Sequence, residues 1–497
     1  MIGTQRAFVH RLAARAALVS AAMLAGGCTV GPDYVKPAVE TPSAFKEAQN
    51  WKVAQPRDNL PRDRWWEVFD DPLLNGLVAQ VEINNQNVKF AEANVRQARA
   101  LTDQARSAFF PTVTGNASAT RAGGQRGGGA SSGSNATGGG GGVVANLYNV
   151  SLDATWELDL WGRVRRNVES SEAAAQASVA DLGGATLSAQ ALLATDYLLL
   201  RVQDADIDLL QRTVTEYEKS LQLTHNQYAV GVAGRSDVAL AETQLKSTQA
   251  QAINAGIQRA ALEHAIAVLM GKPPAGFSIA PIPLKQTFPD IPAGLPSELL
   301  ERRPDIAAAE RRAAAANAQI GVAEAAFFPT VTLSATGGFA SSTIANLFSA
   351  PARYWSVGAA LAQTIFDAGL RKAQTEQAIA AYDASVATYR QTVLGGFQEV
   401  EDNLAALLIL DEQNTVQDEA VKAARESVTI TLNQYRAGTA NYLAVVVVQA
   451  ALLNNERAAV TILGQRYAAS VALIKALGGG WSPEEGAART ASSAAGR

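Results

Sequence analysis

Two periodicities alternate along this chain. Apolar residues recur every three or four positions over 73–106, 160–231, 235–270, 298–326, 368–437 and 441–477, which predicts helices. Residues 160–231 and 368–437 contain no proline, so each reads as one helix of about seventy residues, on the order of 100 Å at 1.5 Å per residue. Between the helices the period drops to two. Over 148–158, Val150, Leu152, Ala154, Trp156 and Leu158 alternate with Ser151, Asp153, Thr155 and Glu157. Residues 111–120 set Val113, Ala117 and Ala119 against Thr112, Thr114, Asn116, Ser118 and Thr120. Residues 329–339 set Val331, Leu333, Ala335 and Phe339 against Thr330, Thr332, Ser334 and Thr336. A fourth segment sets Val357, Ala359, Leu361 and Ile365 against Ser356, Gly358, Ala360 and Thr364.

Four strands with one apolar and one uncharged-polar face fit a tilted membrane barrel around a wet lumen. The same alternation also fits the edge of a soluble sandwich, because period two alone does not tell lipid from core. Gly-rich connections and aromatics near strand ends (Tyr148, Trp156, Tyr354, Trp355) favour the membrane. Once the N-terminus is set aside, no apolar run reads as a bilayer-spanning helix, so any crossing is by strands. Four strands cannot close on themselves, and an open edge in hydrocarbon leaves each unpaired backbone group several kcal/mol less stable. Several copies must therefore share one barrel: a trimer gives twelve strands, and the sequence alone also allows a dimer.

The chain is an internal duplication. Phe109-Phe110-Pro111-Thr112-Val113-Thr114 recurs as Phe327-Phe328-Pro329-Thr330-Val331-Thr332, displaced by 218 residues. Asn226-Gln227-Tyr228 with Gly231 recurs as Asn433-Gln434-Tyr435 with Gly438, displaced by 207. The longer Gly/Ser-rich loop at 121–146 absorbs the difference, so both halves carry the same unit in the same order. Ile207, Leu210, Val214, Tyr217, Leu221, Thr224 and Tyr228 form a heptad seam, repeated by Val421, Ala424, Val428, Thr431 and Tyr435. A simple path follows. A short helix rises to the strands, a long helix descends, and a second short helix climbs back to mid-height. The turns at Gly231–Arg235 and Gly438–Asn441 then form a tip about 100 Å below the barrel. The Pro-rich 272–297 meets 31–70 and 478–497 at the waist. The fold expected is a mixed α/β membrane protein, with a long antiparallel coiled-coil helical barrel and four strands per protomer.

Composition narrows the class. The 497 residues carry 18% charge and a formal net charge of −4, with no basic run, so nucleic acid has no electrostatic footprint here. Arg6, Arg11 and Arg15, then apolar Ala16–Ala25 and Gly26-Gly27, read as a signal peptide over 1–27. Cys28, the single cysteine, follows at once, as in a bacterial lipobox, where it would be diacylated and become the mature N-terminus. Leu24 lies four residues before it where a lipobox places Leu at three, which predicts less efficient processing; Thr29 in place of Asp favours the outer membrane. The expected divisions are 1–27 signal, 28–72 extended segment, 73–297 first repeat, 298–477 second repeat, and 478–497 a partly disordered tail.

Cys28-Thr-Val-Gly-Pro-Asp-Tyr34, the twin Phe-Phe-Pro-Thr motifs and Gly294-Leu-Pro-Ser-Glu-Leu-Leu-Glu-Arg-Arg-Pro-Asp305 together resemble outer-membrane efflux lipoproteins of the TolC/OprM/NodT family over essentially the whole mature chain. The resemblance implies a homotrimer with a twelve-stranded barrel and a periplasmic helical tunnel. It further implies docking to a periplasmic adaptor and an inner-membrane pump, commonly a proton-driven RND transporter. Family members close the tip with tyrosine and arginine links and carry acidic rings in the second half. Tyr435 matches the tyrosine, followed by Arg436 and Gly438, with Tyr228 and Gly231 their first-half counterparts. The ring positions hold Ala444 and Val447 instead of acids, while Asp237, Glu242 and Arg235 lie near the first-half tip. Entrance selectivity is therefore expected to be weak, or set by Asp237 and Arg235.

Nothing catalytic is expected. His10 lies in the signal, and His225 and His264 stand on separate helices. No Gly-rich loop ends in Lys-Ser/Thr, Gly138–Gly142 being low complexity, so no nucleotide is held and no cofactor is expected beyond lipid on Cys28. Glu301-Arg302-Arg303-Pro304-Asp305 reads as a structural helix start. The alternative from another class is a periplasmic scaffold or secretion-linked lipoprotein, which has no use for strands faced with Thr, Ser and Asn.

Overall fold

The computed structural model describes residues 29–48, 64–124, 143–282, 302–479 and 481. The segment 1–27 read as a signal peptide, Cys28, the glycine tract 138–142, residues 283–301 and most of 478–497 lie outside the described residues. Seven helices of eight or more residues and four strands are seen among the described residues. Their order is α1 (Pro72–Asn84), α2 (Gln86–Ser107), β1 (Thr112–Gly124), β2 (Val143–Leu158), α3 (Arg163–Ala229), α4 (Arg235–Leu269), α5 (Pro304–Ala325), β3 (Thr330–Ser341), β4 (Arg353–Ala362), α6 (Leu370–Arg436) and α7 (Tyr442–Ala476). The two long helices, α3 and α6, have 67 residues each.

Four expectations need correction. The helix read over 73–106 is two helices, because Asn85 adopts an extended backbone between them. Its side-chain oxygen accepts from the Asn87 and Val88 amides at 2.9 and 3.2 Å, replacing helical bonds, and its Nδ2 donates to the Leu269 carbonyl at 2.8 Å. The apolar spacing runs straight through the break, which hides it. The fourth strand ends at Ala362, so Ile365, 88% exposed, lies beyond it. The second strand begins at Val143, which puts Tyr148 in its interior. Finally, α7 is long and apolar enough to cross a membrane by length and composition. Part of it is packed: Val445 sits in a small core with Tyr435 and Tyr442, and Gln449 donates to the Ser220 hydroxyl at 3.0 Å.

The chain divides into two compact units. One comprises Met1–Lys36, Gln97–Ala175 and Arg312–Val386; the other comprises Pro37–Arg96, Gln176–Arg311 and Ala387–Arg497. Each draws on both halves of the duplication.

The first unit holds an antiparallel meander in the order β1-β2-β3-β4. Asp159 begins α3 by accepting from the Val164 and Arg165 amides, both at 2.9 Å. Trp161 stacks on Phe328 with centroids 4.8 Å apart and donates from Nε1 to the Pro329 carbonyl at 2.8 Å, which anchors the second Phe-Phe-Pro-Thr motif. The Val-Gly-Pro-Asp strap is held by buried Arg166, which donates to the Val30 and Gly31 carbonyls and pairs with Asp33 at 2.8 Å. Gly31 has φ +96°, and a Cβ there would lie 2.4 Å from the Gly321 Cα, so the strap reaches the helix only as glycine.

The second unit contains the main core. Phe45, Trp65, Trp66, Phe69, Leu187, Tyr197, Ile279 and Tyr467 pack in one cluster, and Trp481 lies against Gly183. Described parts of 31–70, 272–297 and 478–497 thus converge as expected. Beneath them Asp204 binds Arg201 at 2.9 Å and Arg259 at 2.7 Å, while the Arg201 guanidinium lies 4.8 Å from the Tyr197 ring centroid. The two arginines also donate to the Ala280 and Ile279 carbonyls, which ties the segment after α4 to α3.

Candidate functional site

Two regions carry the features that set function, one in each unit. In the second unit, α3 turns into α4 at Gly231 and α6 turns into α7 at Gly438; both glycines have positive φ, +77° and +75°. The heptad seam is visible in burial. Leu210, Tyr217 and Thr224 are buried in the first half, and Val421 and Tyr435 in the second. Tyr228 is not: it is 45% exposed, whereas its counterpart Tyr435 is 5% exposed.

The reason is the residue seven positions on. Tyr435 meets Tyr442 edge to face, centroids 5.3 Å apart, and their cluster includes Ala241 and Val445. The Tyr435 hydroxyl donates to Thr224 Oγ1 at 3.5 Å, and the Gln227 side chain donates to the Tyr435 carbonyl at 3.4 Å. Burial raises both phenols above their ordinary range, Tyr442 up to about 12, so neither ionises in any physiological condition. In the first half the position equivalent to Tyr442 is Arg235, so Tyr228 lacks the aromatic partner that Tyr435 has seven positions on. Tyr442 was a site residue that sequence reasoning passed over; the 207-residue displacement from Arg235 was the signal that marked it.

Helix capping explains the charge at the first turn. Asn441 caps α7 with its own side chain, accepting from the Ala444 amide at 3.0 Å. The equivalent Gly234 has no side chain, and Asp237 instead reaches back to accept from the Gly234 amide at 3.1 Å. Asp237 therefore stands where the second half has Ala444 because α4 lacks a cap of its own. Arg235 beside it is exposed, and exposed Arg436 donates to Asn433 Oδ1 at 3.4 Å. The structure brings Tyr435, Thr224 and Gln227 together; it leaves Tyr228, Arg235 and Arg436 on the surface.

In the first unit the sheet register sorts every strand residue to a face. Val113, Leu152, Trp156, Leu333, Trp355, Val357 and Leu361 share one face. Among the described residues Phe348 packs edge-on against Phe339 at one end of this face, centroids 5.5 Å apart, and much of the rest is open, Trp355 and Val357 being 78% and 74% exposed. The other face carries the rows Thr112–Thr155–Ser334–Gly358, Thr114–Asp153–Thr336–Ser356 and Asn116–Ser151–Gly338–Tyr354. A soluble sandwich buries its apolar face against a second layer. Here much of that face is open, and a hydrocarbon environment is the one in which open apolar and wet polar faces both belong. Among the described residues, β1 and β4 each keep an edge with no strand beside it.

A sequence model described as outer membrane efflux protein matches residues 77–272 and 295–479. The chain belongs to the outer membrane efflux protein family. The solvent efflux pump outer membrane protein SrpC of Pseudomonas putida is 31% identical over 481 residues, covering 93% of this chain and 97% of that protein. The pyoverdine export outer membrane protein OpmQ of Pseudomonas aeruginosa is 31% identical over 474 residues, covering 95% and 98%. The solved outer-membrane channel OprN superposes with a TM-score of 0.83 at 34% identity, covering 91% of this chain and all of that one. As an outer membrane efflux protein the chain is an exit duct of the outer membrane and not an enzyme.

Proposed function

We propose that three copies of this efflux protein close a twelve-stranded barrel whose polar face lines a water-filled lumen. The observation that carries the reading is the four-stranded meander with two open edges, one largely uncovered apolar face and one polar face. An unclosed sheet of this kind has no stable state in lipid. The helical tip forms the periplasmic entrance, where Tyr228, Gly231, Arg235, Asp237, Tyr435, Arg436 and Gly438 act in opening and closing. Exposed Val230 and Val232 flank Gly231, apolar side chains in a turn that support docking of a periplasmic adaptor, with an RND-type inner-membrane transporter supplying the energy. Selectivity at this entrance is weak, since Asp237 is tied to the Gly234 amide and sits beside Arg235. Cys28 carries the lipid anchor. Relatives of equal similarity are named for solvent and for pyoverdine export, which supports assigning cargo choice to the pump and not to the duct wall.

The test is the mass of the protein purified in mild detergent, with its conductance in planar bilayers. Trimers that pass current are expected, migrating as a compact species until heated. A stable monomer, or a trimer that passes no current, overturns the proposal. Acyl labelling that persists in Cys28→Ser overturns the anchor.

A further inference from the structure

The polar face of the sheet is uncharged with one exception of consequence. Asp153 lies mid-way along β2, and its carboxylate is fixed by donors from three strands. Oδ1 accepts from Thr336 Oγ1 at 2.7 Å; Oδ2 accepts from Asn116 Nδ2 at 2.7 Å and from Ser151 Oγ at 2.9 Å. All three donors are neutral, so they orient the carboxylate without cancelling its charge.

The other charges among the described strand residues are accounted for. Glu157 shares the polar face but is bound by Arg163 through two hydrogen bonds, at 3.0 and 2.7 Å. Arg121 lies an even number of residues from Ala119 and Val113, and Arg353 pairs with Phe339, which puts both on the apolar face. Asp153 is thus the one uncompensated charge on the polar face of the described sheet. A charge within a membrane-spanning segment is tolerated facing water, and a low-dielectric wall focuses its field across the opening.

We infer that Asp153 is the ion-selecting group of the duct. It makes the level of the Thr114–Asp153–Thr336–Ser356 row prefer inorganic and organic cations over anions. The inference rests on the proposed lumen-facing orientation of the polar face. Each copy around a shared axis adds the same carboxylate at the same height, so the field multiplies with the number of copies. At the tip Asp237 is tied to the Gly234 amide two residues from Arg235, Glu242 lies 3.8 Å from His225, and the second-half position is Ala444.

The experiment uses the full-length protein in a planar bilayer under a potassium chloride gradient. Salt is kept near 0.1 M, where the Debye length is about 10 Å and the field still reaches across a pore. The zero-current potential reports cation preference. The wild type is expected to prefer potassium, Asp153→Glu to keep that preference, and Asp153→Asn to shift the potential toward zero. Ser356→Lys places a cation in the same row without removing any donor to Asp153, and is expected to shift the potential in the same sense. It decides the matter if the Asn variant fails to assemble. A conducting channel whose potential ignores Ser356→Lys and any assembled Asp153→Asn overturns this inference alone. A wild type that passes no current overturns the duct reading and this inference with it.

Discussion

Arg303 does in the second half what Asn85 does in the first. The two are displaced by 218 residues, both are buried, and both interrupt a helix. Asn85 donates to the Leu269 carbonyl at 2.8 Å; Arg303 donates to the Ala476 carbonyl at 3.2 Å, and those acceptors are themselves displaced by 207. Each residue ties the final turn of a short helix to the break that begins its own half. Arg303 adds ion pairs with Asp305 at 2.6 Å and Glu399 at 2.7 Å.

Removing that guanidinium leaves a buried carbonyl unpaired and two carboxylates facing each other. Arg303→Met is expected to lower stability by about 2–3 kcal/mol, below the usual 3–5 for a broken buried pair, because Asp305 and Glu399 are half exposed and rehydrate. Arg303→Lys should recover part of this, losing the fork but keeping the charge. Loss of heat-resistant migration measures both.

Gly271 and Gly478 form a second matched pair. Each has positive φ, and a Cβ on either would lie 2.4 Å from a backbone oxygen, that of Asn84 or Arg302. Gly271→Ala must displace main chain against main chain, with left-handed strain of about 1–2 kcal/mol added. A marked fall in folded yield is expected, against Gly256→Ala as control, where a Cβ meets nothing. Quantified membrane insertion of the two variants checks it.

Tyr435→Ala removes the ring that packs on Tyr442 and should cost about 3 kcal/mol or more locally, loosening the turns and raising open-channel current. Tyr435→Phe forfeits only the long bond to Thr224, under about 1 kcal/mol, and should stay near wild type. Hydrogen exchange over 224–242 and 432–449 separates the two.

Asp196, on α3, has its carboxyl pushed up to about 6 by burial. The folded chain therefore holds a proton that the unfolded chain, titrating near 4, has released. Stability contributed by this group is complete below about 4 and declines as pH rises to about 6. Asp196→Asn is expected to flatten that decline and to raise thermal stability at pH 7.5. Melting temperatures across pH 4–8 test the sign.

Much of this was legible beforehand. The proline-free runs became α3 and α6 within three residues at each end, because an uninterrupted helix reports itself over many turns. The strand faces followed from alternation, since a one-residue slip would invert them all. The helix start after Arg303 was announced by Pro304, but the break at Asn85 was not legible, because its side chain substitutes for helical bonds while the apolar period continues across it. Nor was the difference between Tyr228 and Tyr435, whose heptad positions are equivalent. It depends on Tyr442 taking the place of Arg235 in the second half, which the 207-residue displacement brings out and the heptad period does not. Asp153 looked like one more polar residue until the register showed its neighbours to be neutral.

The unequal turns give the duplicated chain a mechanical direction. One hairpin is held by two packed rings; the other, with its tyrosine half exposed and its cap borrowed from Asp237, has only a contact of 3.8 Å between His225 and Glu242 in that role. A pull at the end of this bundle is expected to bend the less packed hairpin first and to leave the two-ring hairpin as pivot, so that a single copy swings instead of spreading symmetrically.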